Sequence, residues 1–341
     1  MANIRDVAKH AGVSIATVST ALNGTGPVSE KTARRIWDAV EAVGYAPNGI
    51  ARSLRLGKTK LIGLVVSEIT NPFFGALTLA IEKAAHAQGY AVIVCNSNED
   101  DARELELLDL LRVQRVAGIL VAPSGQGDKY RDSLARNAGA PLITIDRHVE
   151  GLKRDFVGLD NRAAGRMITE YILRLGHRRI AFIGGRTGVS TSDHRYEGYC
   201  QALASAGLQP DPALCLRADF RSETAYTVAQ PLLAMTDRPT AIVAANNVMA
   251  LGALQAIGDL GFRCPQDISV AGIDDFPWST ALRPRLTTVA QPIEEIGRAA
   301  VEMLLEHISG EAAAPEAAPE AARSRIFLPT LIARDSCAAL T

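Results

Sequence analysis

The chain has 341 residues, is 48% hydrophobic and 21% charged, and balances 36 Lys/Arg against 37 Asp/Glu, an ordinary globular composition long enough for two or three domains. The opening residues carry no apolar stretch of the kind a secretory signal needs, and the apolar run Leu61–Val66 is too short to cross a bilayer, so neither export nor a membrane partner is expected. Five cysteines (Cys95, Cys200, Cys215, Cys264, Cys337) lie scattered without a C-x-x-C pair, which reads as reduced thiols in the cytoplasm rather than a disulfide frame or a zinc site.

The near-zero net charge conceals an asymmetry: residues 1–60 hold nine Lys/Arg and four Asp/Glu, the remainder 27 and 33. A basic head on an acidic body is the layout of a separate polyanion-binding module, although a solvated basic face gives the same count.

In chain order, Ile4, Val7, Ala8 and Ala11 fall at the spacing of a short amphipathic helix. Gly12 supplies a permissive backbone for a sharp turn, Val13 points inward, and Ser14 is a good N-cap for a second helix from 15 to about 22, buried through Val18, Ala21 and Leu22. Helix, short turn with Gly, helix is the helix-turn-helix plan, whose second helix enters the major groove. A third helix, 30–43, is capped by Ser29 and carries Ala33, Ile36, Val40 and Val43 on one face. Trp37 is expected in the core of so small a module rather than against a base.

The segments Ile4-Arg5-Asp6-Val7-Ala8-Lys9-His10-Ala11-Gly12-Val13-Ser14, Thr17-Val18-Ser19 and Leu22-Asn23 resemble the head of the LacI/GalR (lactose/purine repressor) family, continued by Gly44-Tyr45, Pro47-Asn48 and Ala51-Arg52-Ser53-Leu54. The resemblance covers essentially the whole chain. It implies a helix-turn-helix domain (1–46), a hinge helix and linker (47–60), and a two-lobed α/β effector domain like a type 1 periplasmic binding protein (61–341). The DNA-contacting set it selects is Ser14, Ile15, Ala16, Thr17, Ser19, Thr20, Asn23 and Arg34, with Ala51, Arg52 and Leu54 from the hinge. Ile15 and Ala16 offer apolar contact to thymine methyls, and Thr20 a methyl and a hydroxyl. Family members commonly have Arg or His at the Thr20 position, so bidentate guanine readout is missing here. Thr17, Ser19, Asn23, Arg34 and His10 suit phosphates, which position without reading sequence. Leu54 matches a wedge inserted at the central base step of the minor groove.

From residue 61 onward short apolar runs alternate with helical stretches, with strands expected at 61–66, 90–96, 118–122, 142–146, 156–159, 180–184, 241–245, 268–272 and 287–290, and a last one near 326–331. Such alternation makes parallel sheets in two Rossmann-like lobes, with a ligand in the crevice at the strands' carboxyl ends. Residues 311–322 are low-complexity Ala, Glu and Pro, expected as an exposed loop. The resemblance selects Phe73, Phe74, Asp146, Arg195, Phe220, Asn246, Asp274 and Gln291 as effector contacts, while Asp160-Asn161 suits a helix cap. Carboxylates and amides suit vicinal hydroxyls, Arg195 a clamp, and Phe rings a ring face. Ser190 to Asp193, read as a polar loop, and Arg186 point to a polar ligand such as a sugar or sugar acid; a nucleobase-like effector is the alternative.

Three functions compete: a ligand-responsive repressor acting as a homodimer on an operator, an exported solute-binding protein, and an enzyme. No G-x-G-x-x-G opens a helix after the first strand, no P-loop or H-E-x-x-H occurs, and the six histidines lack metal-ligand spacing, so no cofactor and no catalysis are expected. The repressor reading is the one the basic head favours.

Overall fold

The computed structural model describes residues 2–23, 26–45, 59–136, 140–310 and 322–340, and the chain divides into two compact units, Met1–Thr59 and Lys60–Thr341.

In the first unit, α1 (Ile4–Ala11) starts from a reciprocal cap: the Asn3 side chain accepts from Arg5 N and Asp6 N, and Asp6 accepts from Asn3 N at 2.9 Å. Gly12 ends it in the left-handed region at φ 61°, which a side chain there adopts only under strain. Next comes α2 (Ile15–Asn23), its first turn tied by Thr17 N donating to Ser14 Oγ at 3.0 Å. Ser29 caps α3 (Glu30–Ala42). The three helices bury Val7, Ala8, Ala11, Val18, Ile36 and Ala39 together. Trp37 departs from expectation: it is 53% exposed. Ile36 and Ala39 fix the inward face of α3, and the next residue along a helix sits about 100° round, which carries Trp37 off the core. The hinge assignment, with Ala51, Arg52 and Leu54, lies outside the described residues.

The second unit holds two six-stranded sheets. One takes β1 (Leu61–Val66), β2 (Ala91–Asn96), β3 (Gly118–Val121), β4 (Leu142–Ile145), β5 (Phe156–Leu159) and β11 (Ser324–Phe327), ordered β11-β5-β4-β3-β1-β2 and parallel throughout. The other takes β6 (Ile180–Gly184), β7 (Cys215–Arg217), β8 (Ala241–Ala244), β9 (Ser269–Ile273), β10 (Thr287–Ala290) and β12 (Thr330–Ile332), ordered β12-β10-β9-β8-β6-β7, with β12 antiparallel to β10. Helices α4 (Pro72–Ala87), α5 (Asp101–Val113), α6 (Gly127–Arg136) and α11 (Ile293–Ser309) belong to the first lobe; α7 (Asn161–Arg174), α8 (Ser190–Ser205), α9 (Ser222–Ala234) and α10 (Asn247–Asp259) belong to the second. The chain therefore crosses between lobes after β5, after β10 and between β11 and β12. Helices on both faces explain why β3, β4 and β8 are wholly buried and read as continuous apolar runs.

Two strand expectations needed correction. The single strand near 326–331 is two strands in different sheets, broken around Leu328-Pro329, where proline has no N–H for a ladder. The three-residue β7 was missed because its half-buried, Arg-containing edge gives no apolar run. The five cysteines are free and half-buried, and burial raises Cys264 to about 12 and Cys337 to about 11.

Close helix packing brings one site residue into place. A Cβ on Gly165 of α7 would lie 2.0 Å from the Arg195 carbonyl on α8, and one on Gly198 of α8 would lie 2.2 Å from the Arg162 carbonyl. Glycine at both positions lets the two backbones touch. Among the described residues no helix is long and apolar enough to cross a membrane.

Candidate nucleic-acid face and effector cleft

On the first unit, Ser14, Ile15 and Ala16 are exposed at the start of α2, Thr17 and Thr20 are half-exposed, and Arg34 and His10 are exposed. An exposed Ile at 45% beside Ala16 costs apolar surface in water and gains where a thymine methyl covers it. Ser19 differs: only 8% of it is exposed, leaving little of it for a phosphate. The Asn23 side chain lies outside the described residues. Arg35, which sequence reasoning passed over, donates to the Ala11 carbonyl and so ties α3 to the end of α1.

In the second unit the sheet order reverses between β1 and β3 and again between β6 and β8, and the crevice at such a reversal is where open α/β sheets take ligands. A cleft lies there between the lobes. Its walls include Phe73 and Phe74 at the start of α4, Asp146 after β4, Arg195 on α8, Phe220 after β7, Asn246 after β8 and Asp274 after β9. Gln291 is not on the wall; its Nε2 donates to Asp274 at 2.5 Å and so holds that carboxylate from behind. The walls also include Glu68, Asn71, Glu99, Arg147, Thr191, Asp219 and Arg221, which were not singled out as contacts. For Glu68, Arg147 and Asp219, each two residues past the end of a parallel strand, that position was the available signal.

Arg195, 3% exposed, donates to Asn161 Oδ1 at 2.8 Å and to the Ala245 carbonyl at 2.6 Å, and its other neighbour is Asp274 at 3.6 Å. Asn246 caps α10 by accepting from Met249 N at 2.8 Å. Arg147, equally buried, pairs with Glu99 at 2.6 Å, while its Nε has no hydrogen-bond partner. The Arg147 guanidinium stands 5.0 Å from the Phe220 ring centre and 6.0 Å from that of Phe74, within range of a cation–π attraction. Asp146 Oδ2 lies 3.7 Å from Arg147 Nε, an ion pair longer than a direct hydrogen bond. Burial pushes Asp146 up to about 6, against the lowering pull of Arg147 and Arg195. Glu99, Asp146, Asp219, Phe220 and Asp274 all have positive φ, between 49° and 74°. Such strain in non-glycine residues persists where the surroundings enforce it, and it gathers at ligand sites.

Arg186 and the Ser190–Asp193 stretch need reassigning. Arg186 reaches across the cleft mouth to the carbonyls of Glu99 (2.9 Å) and Ser124 (2.6 Å), so it latches the lobes instead of facing the cavity. Ser190 to Asp193 form the first turn of α8, not a loop; Ser192 accepts from Arg217 at 2.7 Å and Asp193 from Gly188 N at 2.6 Å, and Thr191 alone of the four meets the cavity. As expected of a cap, Asp160 accepts from Ala163 N at 2.9 Å.

A small helix-turn-helix unit attached to a two-lobed ligand-cleft unit defines a class: regulators that read DNA and sense a small molecule. Comparison with known proteins narrows this. Residues 3–48 match the family described as bacterial regulatory proteins, lacI family, and residues 169–337 match the periplasmic binding protein-like domain. The HTH-type transcriptional repressor PurR of Aliivibrio salmonicida (strain LFI1238) is 36% identical over 308 residues, 90% of this chain and 92% of the relative. Among solved structures, the lac repressor dimer bound to operator and the anti-inducer ONPF superposes with a TM-score of 0.87 at 27% identity, over 99% of both chains. The CelR–cellobiose complex superposes at 0.73 with 29% identity, over 98% of this chain and 100% of CelR. This chain belongs to the LacI family; it is a DNA-binding transcription regulator and not an enzyme.

Proposed function

We propose that the chain is a cytoplasmic repressor that binds a pseudo-palindromic operator as a homodimer, under the control of a neutral, hydroxyl-rich effector of the sugar class. The repressor assignment is supported by the similarity to PurR, and the dimer and operator by the lac repressor complex. The observation that carries the effector class is the charge of the cleft. Five carboxylates (Glu68, Glu99, Asp146, Asp219, Asp274) face three guanidinium groups (Arg147, Arg195, Arg221), which disfavours an anion. Arg147 Nε has no hydrogen-bond partner, and the Asp146 carboxyl faces it at 3.7 Å, too long for a direct hydrogen bond, so a donor and an acceptor stand side by side. A sugar hydroxyl is both donor and acceptor and answers both. The resemblance to CelR, solved with cellobiose, points the same way.

A nucleobase-like effector is the second reading, favoured by the identity to PurR and by the Phe73 and Phe220 rings. Against it, the flat slot over Phe220 already holds the Arg147 guanidinium.

An effector held by Asp146 from one lobe and by Arg195 and Asp274 from the other binds the closed arrangement better than an open one, and that difference in affinity is what shifts the equilibrium. The proposed domain division, 1–46, 47–60 and 61–341, gives the hinge the task of reporting lobe closure to the operator. The test uses the full-length protein, with calorimetry against neutral sugars, sugar acids and nucleobases, and gel shift on its own upstream DNA with and without each binder. A neutral sugar that binds and changes operator affinity supports the proposal. Binding confined to nucleobases moves the assignment to the second reading, and failure to shift any upstream DNA at low salt overturns the operator role.

A further inference from the structure

The second helix of the first unit, α2, carries no charged side chain anywhere along its length. That removes the groups that read bases by charge-assisted hydrogen bonds, a guanidinium or ammonium for guanine and a carboxylate for cytosine. Its one amide, Asn23, closes the helix about two turns beyond Ile15. At the start of the helix the hydroxyls are engaged locally. Ser14 and Thr17 bond to each other at 2.8 Å, and Ser14 Oγ also accepts from Thr17 N at 3.0 Å. The Thr20 methyl lies close to the chain itself, since a Cβ on Gly26 would stand 3.2 Å from it. What α2 presents freely is the pair Ile15 and Ala16, both exposed and both apolar.

In the major groove the apolar feature of a base pair is the methyl group at C5 of thymine. Cytosine and uracil have a hydrogen there, and 5-methylcytosine carries the same methyl at the same place. A surface made of Ile15 and Ala16 gains by covering that methyl, and it has no group with which to sense the exocyclic oxygen or amine beside it. Charge for the DNA backbone comes from other helices of the unit, through the exposed Lys9 and Arg34, and phosphate contacts position without reading sequence.

We propose that Ile15 and Ala16 read the C5-methyl of a pyrimidine in each half-site, so that thymine and 5-methylcytosine are equivalent to α2 and DNA binding responds to cytosine-5 methylation. This rests on the operator role proposed above. The test selects sites for the full-length protein from a randomised duplex pool, then measures fluorescence anisotropy on the selected duplex with each thymine replaced, in both half-sites together. Uracil at one thymine position is expected to weaken binding about fourfold per half-site, or about fifteenfold for the pair. Cytosine at that position weakens it at least as much, and 5-methylcytosine recovers at least about fivefold of the loss. Ile15→Ala is expected to reduce the uracil penalty to below about fivefold for the pair, whereas Arg34→Ala weakens every duplex and leaves the penalty unchanged. Ile15 is exposed, so the fold does not depend on it, and a thermal melt checks this. The proposal is overturned if no thymine in a selected site is sensitive to uracil, if 5-methylcytosine binds no better than cytosine, or if Ile15→Ala keeps the full penalty. If the protein selects no site at all, the operator role itself falls, and this inference with it.

Discussion

Gly165 offers a demanding test of how the effector cleft is held. Its substitution by Ala places a Cβ 2.0 Å from the Arg195 carbonyl, and the two next atoms are also Arg195 backbone, at 2.8 and 2.9 Å. Carbon and a carbonyl oxygen rest in contact near 3.2–3.5 Å, roughly, so α8 must withdraw from α7 by about 1.2–1.5 Å. No flexible side chain absorbs the clash. Overpacking of this kind costs about 1–3 kcal/mol, and backbone against backbone places it at the upper end. At roughly 2 °C per kcal/mol for a unit of this size, the melting temperature falls by about 6 °C. The displacement also moves Arg195 relative to Ala245 and Asp274, so affinity for the effector drops by at least about tenfold, or 1.4 kcal/mol. Differential scanning calorimetry and ligand titration on the same preparation read both effects. Gly258→Ala on α10, where nothing lies within 4 Å of the added Cβ, serves as the comparison and gains about 0.5–1 kcal/mol from helix propensity. A Gly165→Ala protein that melts and binds like the parent would refute the close-packing account.

The buried Glu104, raised to about 7 by its burial against hydrogen bonds from Tyr130 and Ser124 that lower it, sets a pH signature. A carboxyl raised in the folded state contributes stability below its unfolded value near 4.3 and loses it as pH rises through about 7. Glu104→Gln therefore gains stability relative to the parent as pH goes from 5 to 8, read by paired melts, and a constant difference counts against it. Asp146 predicts the opposite for binding, because ionised Asp146 accepts from effector hydroxyls: affinity falls as pH drops below about 6, and Asp146→Asn flattens the titration. Arg186→Ala removes the bonds to Glu99 and Ser124 across the cleft mouth, so small-angle scattering should show more open lobes without ligand; an unchanged profile would place the latch elsewhere. On DNA, Arg34→Ala should weaken all sequences about equally and reduce the salt slope by about one, whereas Thr20→Arg should shift preference toward guanine; competition gel shifts over a salt series separate the two.

The sequence by itself determined the elements whose causes are local. Asn3, Ser14, Gly12 and Ser29 place the helix ends of the first unit through their own side chains or backbone, and the wholly buried strands announce themselves as unbroken apolar runs. Tertiary structure decided what depends on partners distant in the chain. Whether Trp37 faces in or out depends on which side of α3 meets α1, and whether Leu328-Pro329 continues a strand depends on which sheet receives each flank. The cleft shows the same division: the family resemblance made Asp146, Asn246 and Asp274 legible, whereas the pairing of Arg147 with Glu99 and the meeting of both with Arg221 on one wall came only from the fold. Arg186 looked like a ligand contact because a polar side chain beside a crevice has the same composition whether it faces a ligand or the opposite lobe. Only the distance across the gap separates the two, and that distance is fixed by the packing of whole sheets and helices.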